Sequence, residues 1–175
     1  MGNPFVASLQ HNFDFSFAFL EAAIRECPDE LWETDLWPEQ ESQGPSEYGV
    51  GGTAPWNLAY HALSVGDYDL TGDFEMWIPP EPILSNQQWS IPKRVFTKAE
   101  LLDYLAHFQA RVNTMLAGLT EELAARPLPD AHRYNGTLYV VNTGSIPVHM
   151  AEHATQIKQF LTANGVAPPP QGRSF

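Results

Sequence analysis

The chain has a single cysteine, Cys27, among its 175 residues. One thiol cannot form an internal disulfide, so a reducing cytoplasmic setting is expected. Cys27 follows a helical pattern, with no histidine near it in sequence, and reads as a structural thiol rather than a nucleophile. Basic residues are also scarce: 9 Lys and Arg against 21 Asp and Glu, a formal net charge of -12. That balance argues against a nucleic-acid or anionic-membrane surface, which requires clustered positive charge. No apolar run approaches the ~18 residues needed to span a bilayer. The start, MGNPFVASLQ, lacks the basic and apolar regions of a signal peptide, and Val6 stands where N-myristoylation needs Ser or Thr. No internal repeat is present. Hydrophobic residues, at 43%, are sufficient for one sizeable core.

Four helical segments and two long irregular ones divide the chain. The first helix is expected over Pro4 to Cys27, capped by Asn3 and stopped by Pro28. Within it "FDFSFAF" alternates like a strand, but the unbroken "LEAAIREC" that follows favours a helix, apolar on much of its circumference and heavily buried. The chain from Asp29 to Gly52 has no helical pattern. Thr53 is expected to cap a second helix, "APWNLAYHALSVGDYDL", with Pro55 in its first turn and Leu58, His61, Val65 and Tyr68 on one face. Thr71 to Phe96 is a long loop rich in Pro and Trp, either a lid or a cover for one side of the core.

Thr97 and Glu100 form a capping box that opens a third helix to about Gly118. Its core stripe is Leu101, Leu105, Phe108, Val112, Met115 and Leu119, which leaves His107 on the solvated side. "TEELAARPLPD" adds a short helical turn, and Asn135-Gly136 fits a small hairpin in the connection that follows. The last helix is expected from near Ser145, with Pro147 in its first turn, to Asn164, with Gly165 as its stop. The pattern is all-α: a four-helix bundle with long connections between helices 1 and 2 and helices 2 and 3, one domain over 1–165 and a Pro-rich tail over 166–175.

On the last helix His149 and His153 share a stripe with Ile146, Met150, Ile157 and Phe160. A buried imidazole needs a partner for its nitrogens, and leaving one unmet costs about 1–3 kcal/mol. Two such rings four residues apart can share one divalent ion, or can simply satisfy one another through water; spacing alone leaves both open. HMAEH fits the inverted zinc-protease pattern His-x-x-Glu-His, but that pattern needs a downstream acid, and residues 154–175 contain no Asp, Glu, His or Cys. A third ligand must come from upstream. His107 lies off its stripe and His132 in a loop, whereas His11 and His61 are expected on buried faces; His61 is preferred because its stripe is cleaner.

The pairing of "APWNLAYHALSVGDYDL" with "HMAEHATQI" resembles the DinB-like (DinB/YfiT) four-helix metalloproteins. That family carries a Trp-and-His second helix and His-x-x-x-His-x-x-Gln on the last; Trp56, His61, His149, His153 and Gln156 occupy the matching positions. The resemblance implies a bundle that binds a divalent ion, zinc or nickel and sometimes iron or manganese, through His61, His149 and His153. It also implies dimerisation and, as in several members, thiol-dependent transferase or isomerase chemistry with a low-molecular-weight thiol. Two positions depart from the pattern: Glu152 stands where a further histidine is common, and Ala154 where arginine is common. Without that base, in so acidic a chain, an anionic thiol is disfavoured. Glu152 has three readings: a fourth ligand, a general base toward water at the metal, or a solvated rim residue.

Two functions follow as expectations. One is a metal-dependent enzyme with transferase-, isomerase- or hydrolase-like chemistry on a small-molecule substrate, in which Glu152 is the candidate catalytic residue. The alternative is a non-catalytic metal-binding or stress-response bundle.

Overall fold

A computed structural model describes residues 4–38, 52–71, 77–88, 91–130, 132 and 134–167. Trp89, residues 39–51 of the connection before α2 and the tail beyond Ala167 lie outside them. The described chain is all-α: α1 (Pro4–Glu26), α2 (Pro55–Thr71), α3 (Lys98–Ala117), the single turn α4 (Glu121–Ala124) and α5 (Tyr139–Ala163). A two-residue hairpin, β1 (Gln87–Gln88) and β2 (Ile91–Pro92), interrupts the connection from α2 to α3, pairing Gln87 with Pro92 and Gln88 with Ile91.

The four long helices pack side by side, most heavily where α5 meets α1 and α2. Their directions follow from the contacts. Leu9 approaches Gly144 and Glu26 pairs with Lys158, so α1 and α5 run parallel. Asn142 reaches Asp69 while Ile146 approaches Gly66, so α5 runs against α2. Gln10 bonds Asn113 and the Phe17 ring meets Phe108 edge-on at 5.4 Å, so α3 runs against α1. At Gly66 the helices come very close: a Cβ there would sit 3.0 Å from both the Ile146 and Phe108 side chains, which would have to give way by a few tenths of an ångström.

Burial corrects two expectations. α1 is not buried all round: Leu9, Phe13, Phe17, Leu20 and Ile24 form one stripe, while Phe5 and Phe15 are 46% and 40% exposed. The strand-like alternation of phenylalanines therefore splits between inside and outside, as a helical period dictates. The helix surrounded by protein is α2, where His61 and Thr71 are the positions not fully buried. Its expected cap also differs. Thr53 turns away from the helix, its hydroxyl taking the Trp37 N–H at 3.1 Å and its own N–H bonding Asp35 at 2.7 Å, and Ala54 precedes Pro55 at the helix start.

α5 starts at Tyr139, not near Ser145, so Pro147 lies inside the helix. The reason is tertiary. Tyr139 donates its hydroxyl to the Leu70 carbonyl at 3.2 Å, and Asn142 donates its amide to the Asp69 carbonyl at 2.9 Å. These bonds satisfy carbonyls in the last turn of α2 that have no helical partner. The segment thereby gains fixed partners while helical, which offsets the hydrogen bond lost at proline. As expected for Asn135-Gly136, the connection closes a small antiparallel hairpin: with Gly136 at φ 73°, residues 126–128 fold back along 136–139, and Pro127 is bridged to Leu138.

The described part of the 71–96 connection covers the core. Ile83 and Phe96 are fully buried, Trp77 nearly so, and Tyr60 donates to Gln87 at 2.7 Å. The capping box at α3 is present as expected, and Arg94 grips the same Glu100 carboxylate through both terminal nitrogens. The Arg94 fork, together with the Thr97 N–H, holds the Glu100 carboxyl down at about 2. Glu100→Ala is expected to cost about 1–2 kcal/mol in urea unfolding at neutral pH. Because the folded-state value is depressed, this contribution is present above the ordinary value of 4.5 and is lost as pH falls toward 2. A wild-type minus variant difference that stays constant down to pH 2 would contradict it.

Candidate metal centre

His149 and His153 stand one helical turn apart on α5 and project toward the same side, as the i, i+4 relation requires. α2 runs against α5 and brings His61 between them. The ring centroids lie 5.2 Å (His61 to His149), 4.9 Å (His61 to His153) and 4.6 Å (His149 to His153) apart. Each imidazole offers one nitrogen, and the three nitrogens fall within 4.8 Å of one another. His153 is buried, whereas His61 and His149 are half-buried, so the cluster is reached from solvent on one side.

The hydrogen bonds fix how His153 is presented. Its Nδ1 lies 2.7 Å from Gln156 Oε1. A carbonyl oxygen only accepts, so Nδ1 carries the proton and Nε2 turns a lone pair toward the other rings. That Nε2 lies 3.0 Å from His149 Nε2. Two nitrogens bound about 2.1 Å from one ion, at angles between a right angle and tetrahedral, sit about 2.9–3.4 Å apart. The donor set therefore fits a divalent ion that accepts imidazole. The same 3.0 Å distance also suits a hydrogen bond between the two rings, in which His149 donates.

The other sequence candidates fall elsewhere. Glu152 is exposed, and its carboxylate is not among the converging donors. His11 is exposed on α1, not buried as expected, because its position lies across the helix from the Leu9–Phe13–Phe17 stripe. His107 is half-buried rather than solvated, since α3 packs against α2 as well as α1. His132 is buried: its ring stacks on Tyr68 at 5.7 Å, its Nδ1 accepts the Tyr134 N–H at 3.0 Å, and its Nε2 lies 3.7 Å from Asp69. Cys27 is buried, and burial pushes its thiol up to about 11, as befits a structural residue.

Sequence reasoning missed Asp67. This fully buried carboxylate accepts from Trp77 Nε1 at 3.1 Å and Tyr104 Oη at 3.0 Å, and pairs with Arg111. Its signal was an acid on a helix otherwise buried in apolar surroundings, where a charge persists only with partners. No protein-family model, curated protein or solved structure matches the chain.

Proposed function

We propose that this chain is a divalent-metal-binding four-helix bundle of the DinB-like kind, in which His61, His149 and His153 hold a zinc or nickel ion, or iron or manganese, in an open site serving a metal-dependent reaction. The observation that carries the proposal is the convergence of three imidazole nitrogens from two antiparallel helices, with His153 already oriented by Gln156. Trp56, buried one and a half turns before His61, completes the resemblance. Three protein donors are the number found in catalytic sites, which keep a position for water or substrate, whereas structural sites close with four.

A divalent ion so held would bring a bound water or thiol near neutral pKa and make it a nucleophile. The chain's own residues do the rest. Gln156 fixes the His153 tautomer, and the half-buried His61 and His149 leave an approach for a small substrate or a low-molecular-weight thiol. Glu152, exposed beside His153, would exchange protons at the rim rather than ligate.

Metal analysis of protein purified without a histidine tag should find one equivalent of divalent ion per chain. Gln156→Ala is expected to lower Zn²⁺ affinity by about 10–100-fold with the fold intact, the usual effect of losing a group that orients a ligand. Protein with no stoichiometric ion after Zn²⁺ or Ni²⁺ reconstitution and desalting would overturn the proposal. Turnover of an electrophile with a panel of thiols would separate an enzyme from a binding protein.

A further inference from the structure

Where α2 ends and α5 begins, α3 borders an open groove of about 410 Å³. None of its lining residues belongs to the histidine cluster. Its volume falls in the range of about 300–1,000 Å³ common to small-molecule sites. Leu70, Met115 and the Tyr139 ring give it apolar walls, and Arg111 and His107 give it a polar end.

Two observations indicate the ligand's charge. Arg111 is the fully charged side chain lining the groove, and 27% of it remains exposed. Its guanidinium carries five N–H donors, of which the recorded contact with Asp67 engages one nitrogen. Second, Asp67, the carboxylate behind Arg111, is sealed from solvent and bonded to Trp77 and Tyr104, so it is not presented to a ligand. A second cation lies close: the Arg126 guanidinium sits 6.0 Å from the Tyr139 ring. In a chain with only 9 Lys and Arg, two arginines flanking Tyr139 are a local concentration of positive charge.

We propose that this groove is a second binding site, for a small organic carboxylate, with the head on Arg111 and an apolar body against Leu70, Met115 and Tyr139. The site stands whether or not the histidine cluster holds a metal.

Full-length protein labelled at the methionine methyl groups provides the test, because Met115 lines the groove while Met150 is fully buried on α5. Titration with hexanoate should shift the Met115 methyl resonance saturably and leave Met150 in place. Hexanol and hexylamine should bind about tenfold more weakly or not at all, since each lacks the charge-assisted contact to Arg111. Ala110→Trp, at an exposed lining position, should abolish the shift by filling the groove without touching Asp67. Arg111→Lys should weaken hexanoate about tenfold, keeping a cation for Asp67 but losing the planar fork. The proposal fails if Met115 does not respond to hexanoate, if hexanol matches it, or if the shift survives in Ala110→Trp. Should Arg111→Lys not fold, the tryptophan variant and the uncharged probe still decide.

Discussion

Replacing His153 by alanine is expected to lower the affinity for Zn²⁺ or Ni²⁺ by more than about 100-fold, beyond the loss usual for a group that merely orients a ligand. His153 is the central donor of the cluster. It is 3% exposed, its Nδ1 is held by Gln156, and its Nε2 faces His149. Binding to the folded state alone stabilises it by about 4 kcal/mol at a metal concentration a thousand times the Kd. For a chain of this size that corresponds to a rise in Tm of about 8–16 °C. Wild-type protein should therefore melt much higher with metal than with a chelator, and His153→Ala should lose that difference. His11→Ala should keep it, because His11 is exposed on α1, a helix that contributes no donor. A metal-dependent rise that survives in His153→Ala would refute the assignment, whatever the variant's own stability.

Asp67→Ala should be the most damaging single substitution away from the histidine cluster, costing about 3–5 kcal/mol and lowering Tm by about 6–20 °C. It leaves Arg111 without its carboxylate, and Trp77 and Tyr104 without their acceptor, in a place sealed from water. Asp67→Asn should cost less, since an amide oxygen can still accept from Tyr104 and Trp77. The two also differ in pH dependence. Burial pushes the Asp67 carboxyl up, against the opposing pull of Arg111, the Tyr104 hydroxyl, His107 and Trp77. A raised folded-state value means that the folded chain holds this proton more tightly than the unfolded chain does. The contribution is therefore fully present below the ordinary carboxylate value and declines as pH rises through the raised one. Chemical denaturation across that range should show the wild type losing ground to Asp67→Asn as pH rises. A gap that widens in favour of the wild type would mean that the folded state prefers the ionised carboxylate.

Much of the candidate site was legible before any coordinates. The spacing of His149, His153 and Gln156 acquires geometry as soon as the segment is a helix, and Thr97 with Glu100 announces a cap three residues deep. His61 could be chosen over His107 and His132 because its neighbours on α2 are apolar. The cover formed by Ile83 and Phe96 was likewise foreseeable from an aromatic, proline-rich connection.

The features that escaped share one property: their partners are distant in sequence. Asp67 is explained by Tyr104 and Arg111, 37 and 44 residues away, and the early start of α5 by hydrogen bonds to Asp69 and Leu70, 73 and 69 residues away. The sequence by itself determined most of the helical course and set His149, His153 and Gln156 one helical turn apart on the last helix, because those follow from a period of 3.6 residues and from the Thr97–Glu100 cap within a turn. Only the tertiary structure decided that His61 meets the pair on α5, that α2 rather than α1 is surrounded by protein, and that a buried carboxylate binds α2 to α3. Those outcomes depend on which helix faces which, and a local period carries no information about that.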